Sequence, residues 1–434
     1  MTILEAYARA LAQPAPANDE RLSLHLIDTV GAWLAGAASA EGREIIASMR
    51  GGALLGAGPL DQLTLAVATT RLTEIDDIHR ASCVTCGAVV IPASFIMARA
   101  LGASAVQFAS ALRHGYETMM RLGMAVNGPG VLARGVWPTY LAAPMGAAAA
   151  TSALLGLTPA QTAQAMAIAL AQTSGAPGGH GPGRSSRWLL SGLAARSGVA
   201  SALMASQGFT GDLTLLDADW FQRTHGLAFD PAPFTAPQPI LHQTSMKPWC
   251  AAKQTVSATD AFRVYLAEGG SAARVASIRV HVPSAYRVMI SSKPPGRLGR
   301  IINLGWQLGL VAHHPQAMLD LDREPTPQDA LVEAFAQKVE IVADASLDAF
   351  YPAQWPARLE ITLDDGSVIE RMASEALGDP GAQLDAAAVA AKFARVTGHI
   401  GAHKAQSLLT LLHGPVESLD LAALEAALNA ALQG

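Results

Sequence analysis

Three carboxylates, an imidazole and a guanidinium fall within seven residues at Glu74-Ile75-Asp76-Asp77-Ile78-His79-Arg80. Acids clustered beside a histidine are what general-base chemistry needs: one carboxylate orients the ring and holds its tautomer while the other nitrogen takes a proton. The competing reading is a solvated helix end with Asp76 and Asp77 as caps.

Three other segments carry reactive groups. Gly175 to Arg187 holds five glycines with His180, Arg184 and Arg187. Glycines let a backbone approach a ligand, and the two guanidiniums can grip carboxylates bidentately. It does not read as a nucleotide loop, because the phosphate-loop spacings are absent and no strand precedes it. A flexible linker is the alternative. Met246-Lys247-Pro248-Trp249-Cys250-Ala251-Ala252-Lys253 reads as a helix start. Lys247, extended before proline at such an entrance, would favour an anion, and partial desolvation would suit it to be a base. A solvated surface lysine is the alternative. Arg134 to Tyr140 places Trp137 and the hydroxyls of Thr139 and Tyr140 ahead of an Ala/Gly-rich helix, unless it is ordinary packing.

The elements that must position these groups are mostly helices. Leu22, Leu26, Val30 and Leu34 recur at helical spacing within Leu22 to Ala35, after a start signal at Asn18-Asp19-Glu20. Further helical stretches fall near Ala93 to Leu101, Val106 to Val126, Tyr140 to Leu155, Pro159 to Thr173 and Leu189 to Gly208. The pattern changes after about Gly270. Val275 to Val282 and Lys338 to Val342 alternate as half-buried strands, and Arg358 to Glu370 reads as a hairpin turning at Asp364-Asp365-Gly366. Helical periodicity resumes from Ala386, and Ala422 to Leu432 forms a final helix. The expected fold is mainly α: a discontinuous helical domain over 1–268 and 400–434, and a smaller α+β lid domain over 269–399.

Bulk properties narrow the function. A net charge of −5 lacks the basic face that nucleic acid requires. No apolar run reaches the roughly 18 to 20 residues that would span a bilayer. Met1 to Glu5 has no secretion-signal character, so a cytoplasmic location is expected. Cys83, Cys86 and Cys250 do not make a disulfide framework, and a single CxxC without partners is a poor zinc site. Neither a metal nor another cofactor is expected.

In this order the segments resemble the MmgE/PrpD family, which includes 2-methylcitrate dehydratase, cis-aconitate decarboxylase and iminodisuccinate epimerase. The resemblance runs through Asp28-Thr29-Val30-Gly31-Ala32-Trp33-Leu34-Ala35-Gly36, the Asp76-Asp77 loop, Gly115-Tyr116-Glu117 with Arg121, Gly192 to Gly198, Gly208 to Gly211, and Lys247-Pro248-Trp249-Cys250. It implies a small polycarboxylate substrate and a homodimer.

Departures from the family pattern matter. Thr85-Cys86 stands where dehydratases and decarboxylases carry His-Pro, Trp137 where they carry a histidine before Pro-Thr, and Arg187 where a lysine is expected. Epimerisation needs only removal and return of one α-proton, with cations stabilising the enediolate, so the loss of histidines favours an epimerase of the iminodisuccinate type. A lyase of the dehydratase or decarboxylase kind is the alternative, and a non-catalytic binding homologue a second one. The expected roles are His79 and Lys247 as the proton-transfer pair and Asp77 orienting His79. Arg184, Arg187, His180, Tyr140 and Asp76 are expected at the substrate.

Overall fold

The computed structural model describes residues 1–14, 19–51, 56–173, 186–236, 238–293, 296–322 and 326–433. The first ten helices are α1 (Ile3–Leu11), α2 (Glu20–Ala38), α3 (Ala40–Gly51), α4 (Pro59–Arg71), α5 (Gly87–Leu101), α6 (Ala105–Ala125), α7 (Gly128–Ala133), α8 (Pro138–Leu154), α9 (Pro159–Ala171) and α10 (Ser186–Ser206). Their starts follow local chemistry. Asp19 accepts from the Leu22 N–H at the head of α2, and Ser104 with Gln107, and Thr158 with Gln161, form reciprocal capping boxes on α6 and α9.

The described residues of Met1–His180, Ser185–Thr244 and Asp385–Gly434 form one compact helical unit, and those of Ser245–Leu384 a second. In the helical unit, alanine and glycine are used for close approach. A Cβ on Gly36 would lie 1.9 Å from the Thr69 carbonyl oxygen, and one on Gly192 would lie 2.1 Å from that of Thr64. Helices α2 and α10 thus touch α4 backbone to backbone. Ala148, Ala165, Ala169, Ala202 and Ala205 fill the space among α8, α9 and α10.

By length and mean composition alone α10 passes for a membrane span, the one such helix among the described residues, although Arg187 and Arg196 interrupt it. Its small residues raise its hydropathy because they are needed for packing: α4, α8 and α9 all lie against it.

The second unit holds a four-stranded sheet of β1 (Val275–Val282), β2 (Val339–Ala343), β3 (Ala357–Leu363) and β4 (Val368–Ala373), in the order β2-β1-β3-β4. β3 and β4 form the predicted hairpin, with Gly366 at φ +83° in its turn. β1 and β2 pair in parallel, Ile278 opposite Val339, and the crossover between them carries the helices Leu304–His313 and Asp329–Ala336. Along β3, Ala357, Leu359, Ile361 and Leu363 are buried while the alternate residues are half-buried.

Candidate active site

The acidic segment joins α4 to α5 and is not a solvated helix end. Asp76 and Asp77 are fully buried and His79 nearly so. Glu74 and Cys83 adopt φ of +56° and +54°, conformations that side chains rarely hold unless their surroundings enforce them.

Asp77 is saturated. Its Oδ1 accepts from the Gly87 N–H at 2.8 Å, its Oδ2 accepts from the Tyr116 hydroxyl at 2.6 Å, and the same oxygen lies 2.8 Å from Nδ1 of His25. Burial pushes its pKa up, but His25, Tyr116 and the Gly87 N–H outweigh this and hold the carboxyl below its ordinary value. The close contacts of the Asp77 carboxylate thus run to His25, Tyr116 and the start of α5 rather than to the His79 ring, on which Asp77 acts through its charge. Asp76 faces Arg71, with Oδ1 3.3 Å from Nη1.

His79 is oriented locally instead. Its Nδ1 lies 2.9 Å from the Ser82 hydroxyl, and its backbone N–H donates to the Val84 carbonyl at 2.9 Å. Burial pushes its pKa down to about 4, only partly countered by the Gln243 side chain. Near neutral pH the imidazole is thus uncharged and able to accept a proton.

Sequence reasoning missed the groups beneath this segment. His25 and Asp28 both sit on α2 within a stretch that otherwise reads as a buried apolar helix, and Lys392 comes from the helix Ala386–Val396. Lys392 Nζ lies 2.7 Å from Asp28 and donates to the Ile75 carbonyl at 2.9 Å. Polar residues at i and i+3 on an apolar helix were the available signal.

A second cluster surrounds Arg187, at the start of α10. Its guanidinium carbon lies 4.0 Å from the Trp137 ring centre and 4.2 Å from that of Trp188. Arg71 faces the same rings at 4.5 and 5.6 Å. Glu74 lies 3.2 Å from Arg71 and 3.7 Å from Arg187. Burial pulls the Arg187 pKa down to about 10. The Tyr140 hydroxyl donates to the Arg187 backbone carbonyl, which fixes the chain there. His180 and Arg184 lie outside the described residues.

At the head of α5, the Thr85 N–H donates to the Thr139 hydroxyl at 3.1 Å, and the two hydroxyls are 3.1 Å apart. Cys86 is fully buried, and burial pushes its thiol pKa well up. None of the three cysteines is in a disulfide.

In the second unit, Lys247 is 2% exposed, so the solvated-surface reading fails. It also does not stand at a helix entrance: the helix begins at Lys253. Pro248 offers no N–H, and the N–H groups of Cys250 and Ala252 donate to the carbonyls of Met318 and Ile301, which takes them out of a helical ladder. Lys253 holds the first helical position, with Nζ 2.7 Å from Asp379. Asp379 also accepts from the Ser245 hydroxyl at 2.7 Å, and the Met246 N–H donates to the Gly378 carbonyl, so the residues just before Lys247 are firmly held.

Residues 6–228 match the family model described as the MmgE/PrpD N-terminal domain, and residues 249–413 match the MmgE/PrpD C-terminal domain. The chain is 33% identical over 170 residues to the cis-aconitate decarboxylase-like protein oryM of Aspergillus oryzae, a stretch covering 38% of this chain and 35% of that protein. It is 32% identical over 159 residues to the cis-aconitate decarboxylase of Aspergillus terreus, covering 35% of this chain and 32% of that protein. Most of each curated relative's length is left unmatched.

Proposed function

The chain belongs to the MmgE/PrpD family, and from that premise we propose that it is a lyase acting on a small polycarboxylate, moving a proton at a carbon next to a carboxylate. The likeness to cis-aconitate decarboxylases is the observation that favours a lyase over the epimerase expected from sequence. In decarboxylation the bond to one carboxylate breaks, carbon dioxide leaves, the electron pair passes into an enediolate-like anion, and a proton returns to carbon. That proton, drawn in the end from water, needs a donor, the part given to Lys247; His79, buried and uncharged near neutral pH, supports the proton-accepting role that loss of water from a hydroxy acid would need. Lys247 is the proposed second proton-transfer group, and Arg187 the cation whose hold on a carboxylate strengthens as charge develops.

A specific observation keeps the epimerase as a second reading. By the resemblance read from sequence, Thr85 and Trp137 stand where lyases of the family carry histidines; here the Thr85 hydroxyl lies 3.1 Å from that of Thr139, and the indole faces Arg187. Neither is a ready proton donor near neutral pH. A homodimer belongs to the proposal too, and light scattering tests it.

The deciding experiment supplies cis-aconitate, 2-methylcitrate and iminodisuccinate in deuterium oxide and follows them by NMR. Release of carbon dioxide or water supports the lyase. Stereospecific α-proton exchange with neither release overturns it in favour of the epimerase, and no conversion of any of them favours a binding homologue.

A further inference from the structure

Arg71 and Arg187 share one aromatic wall but differ in their partners. Arg71 has two carboxylates in reach, Glu74 at 3.2 Å and Asp76 at 3.3 Å. The Nε of each guanidinium is buried with no hydrogen-bond partner among the described residues, but Arg187, as deeply buried, has its shortest ion-pair distance at 3.7 Å, beyond hydrogen bonding, so it also lacks the close carboxylates that Arg71 has. A buried N–H left unmade is costly and points to an acceptor that arrives with a ligand. Two indoles hold the guanidinium meanwhile, their ring centres 5.5 Å apart and their planes inclined at 47°.

We infer that Trp137 is a positioning residue for substrate binding: with Trp188 it fixes the plane of the Arg187 guanidinium so that the N–H edge meets a substrate carboxylate. This rests on the polycarboxylate reading above. A guanidinium donates only within its own plane, so a flat ring stacked on it restricts the directions from which a planar carboxylate can bind. The Trp137 indole has no group that could donate a proton to carbon near neutral pH, but its face can stack on a guanidinium. Trp137 thereby acts on binding and not on chemistry.

The test uses the full chain and the substitutions Trp137→Met, which fills volume without a flat face, and Trp137→Phe, which keeps one. Citrate binding is measured by calorimetry, and kcat and KM are measured on any polycarboxylate that the wild type converts. Trp137→Met should raise the citrate Kd and KM about tenfold, equivalent to about 1.4 kcal/mol, with kcat within about twofold. Trp137→Phe should stay within about threefold of wild type. In an Arg187→Lys background, whose ammonium has no plane to fix, the Met change should cost less than about twofold. Unchanged Kd and KM in Trp137→Met overturn the inference. So does a fall in kcat at constant KM, an equal loss with Phe, or full additivity with Arg187→Lys. If the wild type neither binds citrate nor converts any polycarboxylate, the polycarboxylate reading itself fails and the inference falls with it. That result is distinct from a working wild type with indifferent variants.

Discussion

The polar layer of the helical unit and the face of the four-stranded sheet both carry ion pairs, but under opposite conditions. In the helical unit, Asp77 with His25, Asp28 with Lys392, and Arg71 with Glu74 and Asp76 are pairs in which every side chain is at most 9% exposed. On the sheet, Arg279 with Glu340, and Arg274 with Asp364 and Asp365, are about half exposed. Water compensates the loss of a partner in the second set and cannot in the first, so a buried charge persists only where several groups hold it. The second unit has its own buried exception, Lys247 at 2% exposed, with the buried Lys253–Asp379 ion pair a few residues on.

That exception carries the largest expected effect. Lys247→Ala and His79→Ala should each lower kcat by about a hundredfold or more with the fold retained, since proton transfer by a placed group contributes on the order of 10² to 10⁴. Near-normal turnover in both, with intact circular dichroism, would reduce the buried polar layer to scaffold and remove the functional half of the contrast.

Stability should separate the regions next. Asp77→Ala strands the Tyr116 hydroxyl, the His25 ring and the Gly87 N–H together, and should cost about 3–5 kcal/mol in urea denaturation. Glu340→Gln, at an exposed pair, should leave the midpoint unresolved from wild type, and added salt should not change that. Equal shifts would break the comparison.

A third effect follows from two histidines of the helical unit whose pKa values burial pushes down to about 4, His79 and His114. Unfolded, each would titrate near 6.5, so between about 4 and 6.5 the unfolded chain binds more protons. Their contribution is complete above about pH 6.5, is lost as pH falls toward 4, and flattens below that. Each is worth on the order of 3 kcal/mol across the window. Urea midpoints at stepwise pH should show the slope, and His79→Gln or His114→Gln should each reduce it. A slope unaltered in both variants would move the acid sensitivity elsewhere.

What the sequence revealed depended on how far apart the partners lie. The helix around Leu22, Leu26, Val30 and Leu34 is legible because burial repeats along one stretch, and the β3–β4 turn because Asp364-Asp365-Gly366 states its own geometry. Asp77 was legible as unusual but not as saturated, since Tyr116 lies 39 residues away and nothing local links them. The parallel pairing of β1 with β2 was hidden for the same reason. The helix at Lys253 was read too early because Ala251 and Ala252 favour helix, and the carbonyls of Met318 and Ile301 that claim the N–H groups of Cys250 and Ala252 are remote in sequence. The family resemblance supplied order among the motifs, but it could not tell which of two neighbouring guanidiniums has carboxylates within hydrogen-bonding distance.

The smallest effect tests the two regions through glycine. Gly192 on α10 is present for space, because a Cβ would meet the Thr64 carbonyl oxygen at 2.1 Å and its carbon at 2.9 Å, backbone atoms that cannot swing aside. Gly366 is present for conformation: its φ is +83° and a Cβ there would meet nothing within 4 Å. Alanine should therefore destabilise both, Gly192→Ala by about 1–3 kcal/mol through forced separation of α10 from α4 and Gly366→Ala by about 1–2 kcal/mol through backbone strain. Asparagine separates the causes. It tolerates a positive φ, so Gly366→Asn should recover most of the loss, whereas Gly192→Asn adds bulk and a polar group at a closed contact and should be worse than alanine. Urea midpoints for the four variants decide it. Recovery by asparagine at 192, or none at 366, would mean that the helical unit does not use glycine for approach, or that the sheet unit does not use it for a left-handed turn.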